Sequence, residues 1–297
     1  MAPAQCAGNR GAGPLSVPPL LALRECRALQ AARRDGATTV ECTLDLGLTH
    51  VPIALGATDW SWQDRRFPYP DSFKPRTIYH WSGAEYEPVA RYTTSMFKLV
   101  PTDWGPPTFE IDGIKMLPTA RLSPYADAEQ KVALVAPRGK TVLDTCGGLG
   151  YFAAWCLRGG AARVLSFERL DGVLWLRSLN PWSPDSPWQP PPGVALQLTH
   201  GDITQEIRAL PDRSVDAILH DPPRFAIAGE LYSQVFYDQL ARVLRPGGLV
   251  FHYTGAPNSV SRGRQLAQEV IVRLRHAGFR PEQNGDGVLA RAAARGR

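Results

Sequence analysis

The sequence predicts an α/β protein: a doubly wound, mostly parallel sheet behind a small N-terminal β-rich domain. Two observations carry that expectation. Residues 38–119 are rich in β-branched and aromatic side chains and are broken repeatedly by proline and glycine, the pattern of short strands and turns. From Pro124 onward, apolar runs of strand length alternate with segments of helical spacing, which implies parallel strands joined by right-handed crossovers.

Three segments follow in order. Residues 1–37 read as a tail and a short helix near Leu20–Arg34, and residues 38–122 as the β-rich domain, built from "TTVECTLDLGLTHVPIAL", "TIYHW", "YTTSMFKLV" and "PTFEIDGIKML". Within the last of these, "IDGI" at 111–114 is a hairpin turn, because Asp-Gly tolerates the left-handed conformations such turns need. Residues 123–297 form the sheet domain and open with a helix in "SPYADAEQKVALVAP". Its strands are "TVLD" 141–144, "RVLSFE" 163–168, "VALQLTH" 194–200, "VDAILH" 215–220 and "LVFHYT" 249–254, with helices between the first three and over 232–244 and 261–277. The insertion "NPWSPDSPWQPPPG", 180–193, is too proline-rich for a helix or central strand and reads as a loop at or near the ligand-binding edge. Trp182 and Trp188 either cover a ligand there or pack within the loop.

The formal charge of +5 sits on the ends. Residues 1–34 contribute +4 and residues 262–297 contribute +5, leaving the middle at −4, so nucleic-acid binding is permitted but not indicated. The five cysteines lack metal-ligand spacing and read as reduced thiols, and no metal is expected. No apolar run approaches the roughly 20 residues that cross a bilayer. A cytoplasmic protein without a membrane partner is expected; the arginine-bearing first 34 residues are the alternative signal, for organelle import, although Ser16 is their sole hydroxyl residue. Oligomeric state is not legible.

The chemistry begins at "VLDTCGGLGYFAAW", 142–155. A strand ending in Asp144 passes through Cys146, Gly148 and Gly150 into a helix, the form of a nucleotide-type site or simply of a tight strand–helix turn. Glu168 ends the second strand, where a carboxylate accepts hydrogen bonds from ribose hydroxyls. Asp144 would face the pyrophosphate of a dinucleotide, so a ligand with a cationic end fits better: S-adenosyl-L-methionine (SAM). Asp202, in "HGDI", then falls where a carboxylate reaches an adenine amino group.

"LDTCGGLG", "FE" 167–168, "GD" 201–202, "DPPR" 221–224 and "RVLRPGG" 242–248 stand in the order of the Rossmann-like SAM-dependent methyltransferases, which the chain resembles over about 140–280. Over about 40–280, "LDLGLT", "EIDGIKM", "NPWS", "HDPPRFAIAGELYSQVFYDQLARVLRPGG" and "FHYTG" resemble a little-characterised group of predicted, spermidine-synthase-like methyltransferases. The resemblance implies a Rossmann-like fold and SAM as cofactor. Asp144, Cys146, Gly148 and Gly150 would hold its methionine end, Glu168 the ribose and Asp202 the adenine, with Asp221 beside the reacting methyl. Asp221 and the Pro222 carbonyl would orient an acceptor amine, with Arg224 and His220 assisting. Arg224 stands where an aromatic residue is usual, so a cation beside Asp221 is expected, while Phe225 remains available for stacking. Of the strand-end histidines His200, His220 and His252, His220 is the best placed to act; the alternative for all three is a hydrogen-bonded wall position.

Two rivals stand beside methyl transfer to RNA or to an amine-bearing or anionic small molecule. The segment from "DPPRF" to "ARVL" is also similar to spermidine synthases, which implies aminopropyl transfer from decarboxylated SAM. Met116 in place of a glutamine, and Arg224 beside the key acid, depart from that family. The other rival is a non-catalytic SAM-binding protein.

Overall fold

Residues 18–187, 193–255 and 262–293 are described by a computed structural model. β1 (Leu20–Leu21) and helix α1 (Leu23–Arg34) lead into an antiparallel meander of β2 (Thr39–Cys42), β3 (Val51–Leu55), β4 (Asp59–Trp62) and β5 (Arg65–Pro68). β6 (Tyr79–Trp81) and β7 (Tyr86–Pro88) form a hairpin that β1 completes as a three-stranded sheet. A second meander follows: β8 (Ala90–Tyr92), β9 (Met96–Val100), β10 (Thr108–Ile111) and β11 (Ile114–Lys115). The expected "IDGI" turn joins its last two strands, with Asp112 and Gly113 at φ 49° and 78°, as a two-residue hairpin of this twist requires.

Helix α2 (Pro124–Val135) starts where Ser123 Oγ accepts the Ala126 N–H at 2.9 Å and proline fills the first turn. The large sheet then builds from β12 (Thr141–Asp144), α3 (Tyr151–Arg158), β13 (Arg163–Glu168), α4 (Asp171–Leu179), β14 (Leu196–His200), α5 (Ile203–Glu206), β15 (Val215–His220), α6 (Gln234–Val243), β16 (Leu244–Tyr253), α7 (Arg262–His276), β17 (Phe279–Asn284) and β18 (Gly287–Ala292). Its order is β14-β13-β12-β15-β16-β18-β17; β18 runs antiparallel to its neighbours β16 and β17, and the other six strands share one direction. This is a Rossmann-like methyltransferase sheet.

The structure extends the sequence reading in two places. β14 begins at Leu196, because Gly193–Ala195 turn as a 3-10 segment first. The closing hairpin β17–β18 was not expected, since arginine, glutamate and glutamine break its apolar alternation; Asn284 and Gly285 carried the turn signal for it.

Strand alternation divides the core. Val142 faces a cluster with Val132, Phe152 and Leu219, whereas its neighbour Leu143 faces one with Ile218, Leu240 and Val270. Phe97, Leu99 and Phe109 of the second meander join the first cluster, so that meander and the large sheet share one apolar interior, whereas the first meander and α1 pack a separate core around Leu29, Trp60 and Phe67. Among the described residues, no helix is long and apolar enough to cross a membrane.

Candidate active site

The turn between β12 and α3 is packed from beneath. Arg177 of α4 is buried under it, with Nε 2.8 Å from Asp185 Oδ1 and Nη1 donating to Ser166 Oγ at 3.4 Å. Ser166 donates in turn to Asp144 Oδ2 at 2.8 Å. A Cβ added at Gly150 would stand 2.7 Å from the Arg177 guanidinium carbon, and Gly150 also holds φ 80°. Asp144 and Gly150, expected at the methionine end of the ligand, border neither chamber: Gly150 is packed against Arg177 and Asp144 Oδ2 is held by Ser166, while Asp144 Oδ1 is buried without a hydrogen-bond partner. Burial pushes Asp144 up to about 6 against the pull of Ser166 and Arg177. Gly148 differs. Its backbone opens toward the cavity, where a Cβ would meet nothing nearer than the Phe109 ring at 3.8 Å.

Two connected chambers lie at the C-terminal ends of the parallel strands, the functional edge of such a sheet. The smaller, 380 Å³, is bounded by Cys146, Glu168, Gly201, Asp202 and Ile203. The larger, 1280 Å³, is bounded by Cys146, Gly148, Glu168, Asp221, Pro222, Arg224 and Phe225. Cys146 and Glu168 border both, as do Ile111, Ile114 and Met116 of the β10–β11 hairpin, so the N-terminal strands supply a wall. Glu168 is oriented by backbone: Oε2 accepts from Gly148 N–H at 3.1 Å and Oε1 from Leu170 N–H at 2.9 Å. Burial raises its pKa against those hydrogen bonds. Asp202 Oδ1 caps α5 through the Thr204 N–H at 2.9 Å and the Thr204 hydroxyl at 2.7 Å, which leaves Oδ2 directed elsewhere, 3.7 Å from Arg169.

Asp221 lies in the larger chamber with Asp127 of α2, Tyr253 of β16 and Glu269 of α7. Its carboxyl is pushed up to about 6 by burial foremost; the Lys131 ammonium opposes this, while Asp127 and Asp286 add to it. The cation whose charge acts on Asp221 is therefore Lys131, contributed from α2, rather than its sequence neighbour Arg224. The Arg224 side chain is exposed, and its carbonyl closes a turn by accepting from Ile227 N–H at 2.7 Å. Alternation after a strand end sends adjacent side chains in different directions, which corrects the expectation drawn from "DPPR". Phe225 is likewise exposed, edge-on to Tyr232 at 5.4 Å.

His220, expected to help orient the acceptor, is also corrected. It is fully buried and borders neither chamber. Nε2 donates to the Leu231 carbonyl at 3.1 Å and Nδ1 accepts from Thr145 Oγ1 at 2.7 Å, a tautomer assigned from the partners. Burial, with His252 beside it, holds its pKa well below the usual value. His252 is neutral for the same reason, pulled to about 4 and bonded to Tyr237 and the Tyr253 carbonyl. His200 sits apart at the end of β14, half-exposed, 3.2 Å from the Arg169 carbonyl. Trp182 packs within the protein, donating to the Leu46 carbonyl at 3.1 Å and lying 5.1 Å from the Tyr125 ring. Trp188 lies outside the described residues.

Residues 187–284 match the model of a family described as S-adenosyl-L-methionine-dependent methyltransferase. Together with the sheet order, this makes the chain a member of the Rossmann-like SAM-dependent methyltransferase superfamily, and SAM its cofactor. Within it, the chain belongs to the same family as the uncharacterized protein MJ1233 of Methanocaldococcus jannaschii, with 41% identity over 203 residues, 68% of each chain. A polyamine aminopropyltransferase of Mycobacterium tuberculosis is 30% identical over 155 residues, 49% of this chain but 28% of that protein. In fold, the chain is similar to the spermidine synthase of Thermotoga maritima, with TM-score 0.51, 16% identity, and coverage of 69% of this chain and 72% of that one.

The chambers fit SAM by their chemistry. The Gly148 backbone leaves a cradle that a side chain would fill, and the walls offer carboxylates suited to hydroxyl, amino and cationic groups. The guanidinium lining the smaller chamber, Arg169, is already engaged by Glu230 at 3.2 Å, so a phosphate-bearing ligand finds no free partner in it.

Proposed function

We propose that the chain transfers a methyl group from SAM to an amine-bearing small molecule, with Asp221 as the anchor of the acceptor. One observation carries this reading. The larger chamber is acidic within, where Asp127, Glu168 and Asp221 face an aromatic wall, and its lining cations, Lys115 and Arg224, are exposed at the rim. Such a chamber attracts an ammonium and repels the phosphates of RNA.

Glu168 would hold the ribose hydroxyls, the Gly148 backbone and Cys146 the methionine end, and Asp202, through Oδ2, the adenine. When bound, SAM supplies a methyl already activated on a sulfonium. Catalysis by the protein is then chiefly alignment. The Asp221 carboxylate and the Pro222 carbonyl would accept the acceptor's N–H groups; an acceptor that enters as an ammonium would first have to give up a proton, which the Asp221 carboxyl near 6 can take, and only then has a lone pair to aim at the methyl.

A second reading, aminopropyl transfer from decarboxylated SAM, is favoured by the same acidic chamber, because Asp127, Glu168, Asp221 and Glu269 line it while Lys131 is paired with Asp127 and Asp286. The test is incubation with methyl-labelled SAM and, in parallel, decarboxylated SAM, each with a cell extract fractionated into RNA, protein and small molecules. Methyl label in small amines supports the proposal. A product formed with decarboxylated SAM alone favours the second reading, and label in RNA or protein overturns both.

A further inference from the structure

Lys131 is 4% exposed, on the inward face of α2. Its Nζ lies 2.6 Å from Asp127 Oδ2, 3.9 Å from Asp286 Oδ2 and 3.9 Å from the centre of the Tyr253 ring. Asp127 and Tyr253 border the larger chamber with Asp221, and Lys131 stands directly behind them. Burying an ammonium is expensive unless it is paired, so an apolar side chain here would serve packing alone better. What an apolar side chain could not do is hold converging carboxylates in their charged form. Asp127 from α2 and Asp286 in the β17–β18 turn flank the ammonium directly, and Asp221, after β15, lines the same chamber wall as Asp127 and Tyr253 and acts on the lysine through its charge. Like charges at such range push protons onto one another unless a cation intervenes.

We propose that Lys131 is a positioning residue: a tethered ammonium, clamped by Asp127, Asp286 and the face of Tyr253, that keeps Asp221 ionised on the wall of the acceptor chamber. Asp221 is the anchor only on the reading given under Proposed function; the electrostatic role of Lys131 stands independently of it. Burial lowers the Lys131 pKa, yet Asp221, Asp127 and Asp286 together leave it raised, so the ammonium persists through neutral pH. Glu168, Arg224 and Glu269 share the chamber wall with Asp221, and the ionisable groups coupled to it by charge are Tyr232, Tyr253, Cys146 and Asp144. Burial raises Tyr232, Tyr253 and Cys146, which therefore stay uncharged and cannot replace the lysine. Asp144 adds a further negative charge when ionised.

The experiment follows the Asp221 carboxyl by carbon-13 NMR in aspartate-labelled protein, with Asp221→Asn for assignment and thermal melting to confirm folding. Lys131→Met should raise the Asp221 midpoint by at least about one pH unit, a tenfold change in the ratio of ionised to protonated carboxyl at a given pH. Lys131→Arg should restore the wild-type midpoint. Asp286→Asn, a change at the partly exposed end of the cluster, should move it down, and gives the test a variant that does not disturb the core. A folded Lys131→Met with an unmoved midpoint overturns the proposal, as does an upward shift in Asp286→Asn. n-Propylamine, titrated in the presence of SAM, reads the other reading separately. If wild type fails to take up this amine while the midpoints move as stated, the acceptor assignment falls and the role of Lys131 stands.

Discussion

Gly150 and Arg177 are packed so closely that a Cβ on the glycine would stand 2.7 Å from the guanidinium carbon and within 2.9 Å of two of its nitrogens. The glycine-rich turn is therefore shaped as much by the arginine below it as by a ligand above. Gly150→Ala combines left-handed backbone strain with overpacking and should destabilise the fold by about 2–4 kcal/mol. Gly148→Ala meets only ordinary contact, and should lose about 1–2 kcal/mol of stability while weakening SAM binding, because its methyl enters the cradle. Chemical denaturation and SAM calorimetry check the pair; equal stability for Gly150→Ala and wild type would refute the packing account.

Asp144 gives a pH signature. Its raised carboxyl means that the folded chain binds this proton more tightly than the unfolded chain does, so ionisation penalises the fold above about 6 and the penalty disappears as pH falls toward 4. Asp144→Asn should be more stable than wild type at pH 8 by up to about 3 kcal/mol, and the advantage should vanish by pH 4. Buried His220 and His252 shift in the opposite direction, and subtracting wild type from variant at each pH cancels them.

Asp221→Asn should bind SAM within about twofold of wild type yet lose at least about a hundredfold in transfer to an amine, since alignment rather than cofactor capture is removed. Full turnover in this variant would exclude Asp221 from the mechanism. In wild type, activity should fall as pH drops through about 6, where the carboxylate takes up its proton.

Arg224→Ala tests which cation governs the site. Its side chain is exposed and exerts no charge effect on Asp221 comparable to that of Lys131, so the acidic limb of the pH profile should stay within about 0.3 of wild type. An upward shift as large as that expected of Lys131→Met would return the role to Arg224.

The sequence by itself determined the alternating strands and helices, the "IDGI" hairpin, the helix opening at Pro124, and the set of strand-end residues Cys146, Gly148, Glu168, Asp202 and Asp221 that border the chambers. These are local properties, set by periodicity, turn chemistry and the rule that parallel strands end at one edge. The directions of side chains just past those ends are not local. His220 turned inward to Thr145 and the Leu231 carbonyl, Asp144 was buried against Ser166, and Arg224 turned to the surface. The cation whose charge acts on Asp221 came instead from Lys131, ninety positions earlier in the chain. Only the tertiary structure could decide this, because a buried charge is held by whichever partner the packing of distant elements brings within a few ångströms, and sequence adjacency does not supply that distance.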